Sequence, residues 1–181
     1  QVRALIGLSA DVNVTEVDGT TALHWAAHLE HESIAMMLLE AGADVDATTR
    51  YGIAPISLAA TNGSTALLRI LLDDGADPNH TTGEGQTPLM TAARAGTVSA
   101  IELLLSRGAE VDSVEGWRGQ TALMWAASEN NAAAVSVLVS NGANLHAVSE
   151  GGFTPVLFAS REGNLAALDT LLEAGANPDD L

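Results

Sequence analysis

The stretch TALHWAAHLEH, residues 21–31, sets three histidines in an H-x3-H-x2-H pattern. On a helix, His24 and His28 lie one turn apart on one face, with His31 a turn further on. Two imidazoles at i and i+4 form the nucleus of many zinc sites, so the stretch offers a candidate metal centre. Asp44-x-Asp46 and Glu110-x-Asp112 offer oxygen ligands of the kind calcium takes. These pairs lack the ligand count and spacing of a calcium loop. Asp and Asn at such turns more simply bond nearby backbone donors.

Other chemistry is sparse. The chain has no G-x-S-x-G, no P-loop, no G-x-G-x-x-G and no cysteine. The run TTGEGQT, 81–87, has the glycines of a phosphate loop without its lysine, and reads as a slightly loose turn. No cofactor is expected and the chain reads as a non-enzyme. Charge excludes more. There are 23 acidic residues against 7 basic ones, a net charge of −16, and every basic residue is arginine. A field this negative repels phosphate backbones and anionic membranes, so neither nucleic acid nor membrane is an expected partner. No run of 18 apolar residues occurs and the start lacks the charged and apolar regions of a signal peptide. The expectation is a soluble monomer of undetermined compartment. An acidic, lysine-free surface is similar to that of halophile proteins, and arginine-rich codon usage would give the same composition.

The elements that must position these residues follow from a period. Turn glycines 19, 52, 85, 119 and 152 are spaced by 33, 33, 34 and 33 residues, and glycines 42, 75, 108, 142 and 175 repeat the same intervals. Two markers with one period make this a repeat chain. In each unit a glycine turn leads into TALHWAA, APISLAA, TPLMTAA, TALMWAA or TPVLFAS. Pro or Ala after Thr or Ala suits the first turn of a helix, because Pro there lacks only a donor that the helix end leaves unused. That helix stops at Gly63, Gly96, Asn130 or Gly163, residues that accept a left-handed conformation, whereas Glu30 fills the slot in the first full unit at some cost in local stability. Ser64, Thr97, Asn131 and Asn164 then read as N-caps of a second helix carrying apolar triplets such as Ile70-Leu71-Leu72. Units this small bury their apolar faces only by stacking.

DGTTALHWAA…GADVD at 18–46 and GQTPLMTAA…GAEVD at 85–112 resemble the ankyrin-repeat pattern G-x-T-P-L-H-x-A-A…G-A-D-V-N. The resemblance runs along essentially the whole chain. It implies an all-α solenoid of stacked helix-turn-helix units joined by β-hairpin fingers. Residues 1–181 read as one such domain, with a partial repeat at 1–16 and repeats at about 17–49, 50–82, 83–116, 117–149 and 150–181. The last unit has no evidently more polar outer face, which reads as a fragment of a longer array.

The resemblance also implies that His24 is the family's structural T-P-L-H histidine, bonding the turns. Ser57, Met90, Met124 and Leu157 stand at its equivalents, so no metal ligand recurs. His31 falls at the second-helix N-cap slot. His24 and His28 remain only weak metal candidates.

Ankyrin arrays generally bind proteins through finger tips and first helices, which implies a protein–protein interaction module. The six aromatics all fall in those places. Trp25, Trp125 and Phe158, with Leu58 and Thr91, share one unit position and read as inter-repeat packing. Tyr51, Trp117 and Phe153 flank turn glycines, where packing demands less, and with Ile53 they are candidate partner contacts. Arg50, Arg94, Arg118 and Arg161 map to the same face. Five acids join them there (Asp18, Glu84, Glu129, Glu150 and Glu162), leaving three arginines and eighteen acids elsewhere. The finger AEVDSVEGWRG, 109–119, is one residue longer than its neighbours, and such insertions often lie on a binding face. The expected function is non-catalytic binding of another protein. The alternative is a structural or regulatory domain of a larger polypeptide, packed on its own neighbouring domain.

Overall fold

The computed structural model describes residues 10–178, in which ten helices form five successive pairs. The pairs are α1 (Ala22–His28) with α2 (Glu32–Glu40), α3 (Pro55–Thr61) with α4 (Thr65–Asp73), and α5 (Pro88–Ala95) with α6 (Val98–Ser106). α7 (Ala122–Ser128) with α8 (Ala132–Ser140), and α9 (Pro155–Glu162) with α10 (Leu165–Glu173), complete the set. None exceeds 9 residues, too short to persist alone in water. First helices pack on first helices and second on second along the stack. Ala26, Ala59, Ala92, Ala126 and Ala159 are fully buried between first helices, where a larger side chain would hold the backbones apart. Leu71, Leu104, Leu138 and Leu171 carry the core through the second layer.

Each helix end has a local cause. Thr21, Thr87, Thr121 and Thr154 cap α1, α5, α7 and α9 by accepting from the backbone N–H three residues on. Ala54 caps nothing at α3. All five first helices end on a residue of positive φ, and Glu30 (φ 57°) and Asn130 (φ 58°) adopt it alongside three glycines.

Two expectations are corrected. Among the described residues no strand forms, so the expected β-hairpin fingers are turns. Each is closed by two backbone bonds within the turn, such as Thr49 N to Ile53 O at 3.0 Å and Gly52 N to Thr49 O at 2.9 Å. One further bond joins each finger to the next, as from Gly83 N to Tyr51 O at 2.9 Å. Bonds confined to the turn and one to the next finger are too few for a ladder. The close contact between fingers also needs glycine: a Cβ on Gly52 or Gly85 would meet the next finger's backbone nitrogen at 2.8 and 2.7 Å. The second correction concerns Ser64, Thr97, Asn131 and Asn164, which precede the second helices but make no side-chain cap bond. Asn131 instead donates to the carbonyls of Ala93 (3.1 Å) and Arg94 (2.8 Å), sealing the exposed end of the previous unit's first helix. Asn164 does the same to Ala127 and Ser128.

The acidic turns behave as turns. Asp44 Oδ1 accepts from Asp46 N at 3.1 Å within its own unit, and Asp46 Oδ1 accepts from Asp77 N of the next at 3.2 Å. Asn13 and Asn79, at the same unit position, make two such bonds across the boundary. Asp112 makes one, from Asn144 N.

Candidate functional site

The histidines are settled by their partners. His24 is buried. Its Nδ1 lies 2.8 Å from Thr21 Oγ1 and accepts from Thr21 N, and its Nε2 lies 2.9 Å from Ile53 O. Since a carbonyl only accepts, Nε2 carries the proton and the imidazole is neutral. Burial pushes its pKa below the ordinary 6.5, against the opposing pulls of the Ile53 carbonyl and the Asp18 carboxylate. Both nitrogens therefore serve the helix cap and the next finger. His28 is exposed, its ring edge-on to Trp25 with centroids 6.1 Å apart, and His31 lies in the turn before α2. No group of three metal-ligating side chains converges among the described residues.

The finger-tip and first-helix cations make a consistent arrangement. Arg50 lies over Tyr51 (4.8 Å), Arg94 over Trp125 (5.0 Å) and Arg118 over Trp117 (4.5 Å). Arg161 lies over both Phe153 and Phe158 at 5.1 Å. Each guanidinium is thereby seated over a ring; Arg50 also donates to Tyr51 Oη at 2.8 Å, and Arg161 is paired with Glu162 at 2.8 Å. Two depressions collect these pairs. One, of about 590 Å³, is lined by Arg50, Tyr51 and Ile53. The other, of about 510 Å³, is lined by Arg94, Arg118, Arg161, Trp117, Trp125 and Phe158. Glu84 and Gln86 border both. Phe153 sits half-buried beneath Arg161.

The shared aromatic position is not uniform. Trp125 and Phe158 are buried, as packing requires, whereas Trp25 is 46% exposed and donates from Nε1 to Glu16 Oε1 at 3.0 Å. Tyr51 and Trp117 stand out at 57% and 70% exposure.

Two features escaped sequence reasoning. Glu115 is a buried carboxylate, accepting from Trp117 N (2.6 Å), Arg118 N (2.7 Å) and Gln120 N (3.2 Å). Thr49, Thr82 and Ser149 occupy its position in other fingers, each accepting through its hydroxyl from the residue four on. The longer finger closes over five residues, from Glu115 N to Gln120 O, and its longer side chain spans the extra distance. The residue type alone was no signal, since Glu16 begins the first finger, which closes over the ordinary four residues. The second feature is Trp125 Nε1, which is buried without a hydrogen-bond partner.

A family model described as ankyrin repeats (3 copies) matches residues 1–82, 41–115 and 89–181. The chain belongs to the ankyrin-repeat family. Such repeats are generally protein-interaction modules and typically non-catalytic. Among curated proteins none matches this ankyrin-repeat chain. No helix of its described residues is long and apolar enough to cross a membrane.

Proposed function

We propose that this ankyrin-repeat chain is a non-catalytic interaction module that binds one partner protein, as a monomer, across its finger tips and first helices. The observation that carries this is the seating of Arg50, Arg94, Arg118 and Arg161 on aromatic rings along that one side. Arg, Trp and Tyr dominate binding hot spots because each combines large contact area with few rotamers or a rigid donor fork. Pre-seating the guanidinium on a ring lowers the entropy lost when it meets a partner. Tyr51, Ile53, Trp117 and Phe153 supply apolar area beside those donors. Trp117, at the tip of the lengthened finger, is the most exposed aromatic among them.

The test is a pull-down from source lysate with the chain and with a Tyr51→Ala, Trp117→Ala, Arg94→Glu triple variant. Melting curves must first show that the variant folds. A protein captured by the parent and lost by the variant supports the reading. Equal capture by both refutes these residues as the binding face. Capture by neither favours a structural or regulatory domain packed on a neighbouring domain of its own polypeptide.

A further inference from the structure

The second helices carry one departure from the repeat that stacking does not require. Met36 on α2 stands at the unit position held by Arg69 on α4, Glu102 on α6, Ser136 on α8 and Asp169 on α10. That position is exposed in all five pairs, and the other four side chains there are polar. Met36 is 44% exposed, while Ala35, Leu38 and Leu39 of the same helix fill the core beneath. A single exposed apolar side chain is ordinary on a protein surface. This one lines a depression.

The depression, of about 290 Å³, lies between α2 and α4 and is lined by Met36, Leu39 and Ile70 with Glu40, Asp73 and Asp74. That is near the lower limit of ligand pockets, about 300 Å³, and suits a side chain rather than a cofactor. Three carboxylates and no cation line it. Arg107 of the next pair reaches one of them, Asp73, at 2.8 Å. Arg69, one turn before Asp73 on α4, makes no ion pair with any of the three. Glu40 and Asp74 therefore have no counter-charge among the described residues.

The surroundings select the occupant. Away from finger tips and first helices the chain has eighteen acids against three arginines, so the field on this side draws cations in. The same field repels a second copy, which would bring another −16. The carboxylates do not converge as metal ligands, since no group of three does so among the described residues. What matches apolar surface bordered by unpaired carboxylates is an apolar side chain flanked by cations. The charged heads meet the acids while the apolar group packs on the methionine, whose unbranched thioether adapts to such a contact.

We infer that the depression between α2 and α4 is a docking site for a basic segment of a partner protein, one that sets an apolar side chain such as leucine between lysines or arginines. This goes beyond the reading above, whose residues lie on first helices and finger tips, and does not rest on it.

The test follows the methyl resonances of the four methionines in a ¹H–¹³C spectrum, assigned with single Met→Leu variants. The titrant is a blocked peptide with one leucine between two pairs of lysines. Control peptides replace the leucine by glycine, or the lysines by glutamate. The Met36 resonance is expected to shift saturably with the leucine–lysine peptide, while those of buried Met90 and Met124 stay in place. Affinities are read from the anisotropy of dye-labelled peptides. Met36→Ser, which installs the residue of the fourth repeat, should bind the leucine peptide no better than its glycine control. Glu40→Gln with Asp74→Asn should weaken binding about tenfold, as expected for loss of two exposed charge pairs. A silent Met36 up to about 1 mM peptide would overturn the inference. So would equal binding of the leucine and glycine peptides by the parent, which would leave charge attraction alone, or tighter binding of the glutamate peptide. A Met36→Ser variant that binds as tightly as the parent would overturn it too. The Tyr51→Ala, Trp117→Ala, Arg94→Glu variant leaves this depression untouched and should bind the leucine peptide like the parent. If that variant loses the peptide, the site is not between α2 and α4. If it keeps the peptide, the docking site stands whatever the pull-down shows for the finger-tip face.

Discussion

His24 shows how one residue can look like a ligand and act as a fastener. Its ring joins the cap of α1 to the next finger, and it does so neutral. Because burial holds its folded pKa below 6.5, the unfolded chain binds the proton more readily. Stability from this group is therefore complete above pH 6.5 and is lost as pH falls toward the lowered folded value. Denaturant titrations of the parent and of His24→Gln between pH 7.5 and 5.5 should show the parent declining faster, with the gap between the two narrowing on acidification. Parallel curves would remove His24 as the source. Glu30 poses a different residue-scale problem. Its φ of 57° is costly for an L side chain, by about 1–2 kcal/mol, and glycine would relieve it. Glycine's greater freedom in the unfolded chain offsets part of that gain. Glu30→Gly should raise stability by about 1 kcal/mol, and an unchanged denaturation midpoint would show that the strain is relieved elsewhere.

At the scale of the element, four first helices start with a threonine cap and α3 does not. The consequence reaches Ser57, whose buried hydroxyl has no partner. It stands where His24 meets Thr21 in the first pair, and Ala54 has no hydroxyl to meet it. Ala54→Thr should cap α3, give Ser57 a partner and add about 1 kcal/mol, within the range measured for N-caps. The equivalent threonines are all buried without displacing their neighbours, so the added volume fits the position. A lower melting temperature for Ala54→Thr would mean that the second repeat lacks that room. In the lengthened finger the Glu115 carboxylate holds three backbone N–H groups of its own turn. Shortening that turn without changing Glu115 would leave a carboxylate with fewer donors.

At the scale of the whole molecule, helices of nine residues or fewer survive because every unit covers its neighbour. The asparagine and aspartate bonds across unit boundaries add direction to that apolar stacking. Charge works against it. The sequence carries 23 acids, and among the described residues only Asp73 and Glu162 are ion-paired, to Arg107 and Arg161. Self-repulsion of this kind weakens the folded state and is relieved by screening. Raising salt from about 0.01 M to about 1 M shortens the Debye length from about 30 Å to about 3 Å, and the melting temperature should rise with it. A fall across that range would show that attractive pairs outweigh repulsion.

What the sequence determined by itself is whatever one unit's residue types dictate locally. The period, the helix pairs, the left-handed stops including Glu30, and the turn-forming acids were legible because each depends on residues a few positions apart. The gathering of arginines and aromatics on fingers and first helices was legible too, as composition at a repeat position. Tertiary structure decided which atoms meet across units. Asn131 spends its amide on carbonyls 37 and 38 residues back rather than on its own helix, because the previous unit's first helix ends beside it. Each of the four outward arginines lies on a ring, and for Arg94 that ring belongs to the following repeat. Trp25 and Trp125 share a unit position, yet one indole has an acceptor and the other has none. The difference is one extra residue in a turn, which redirects a carboxylate from a side chain to the backbone. Repetition sets the frame, and the contacts between frames are fixed only when the chain stacks.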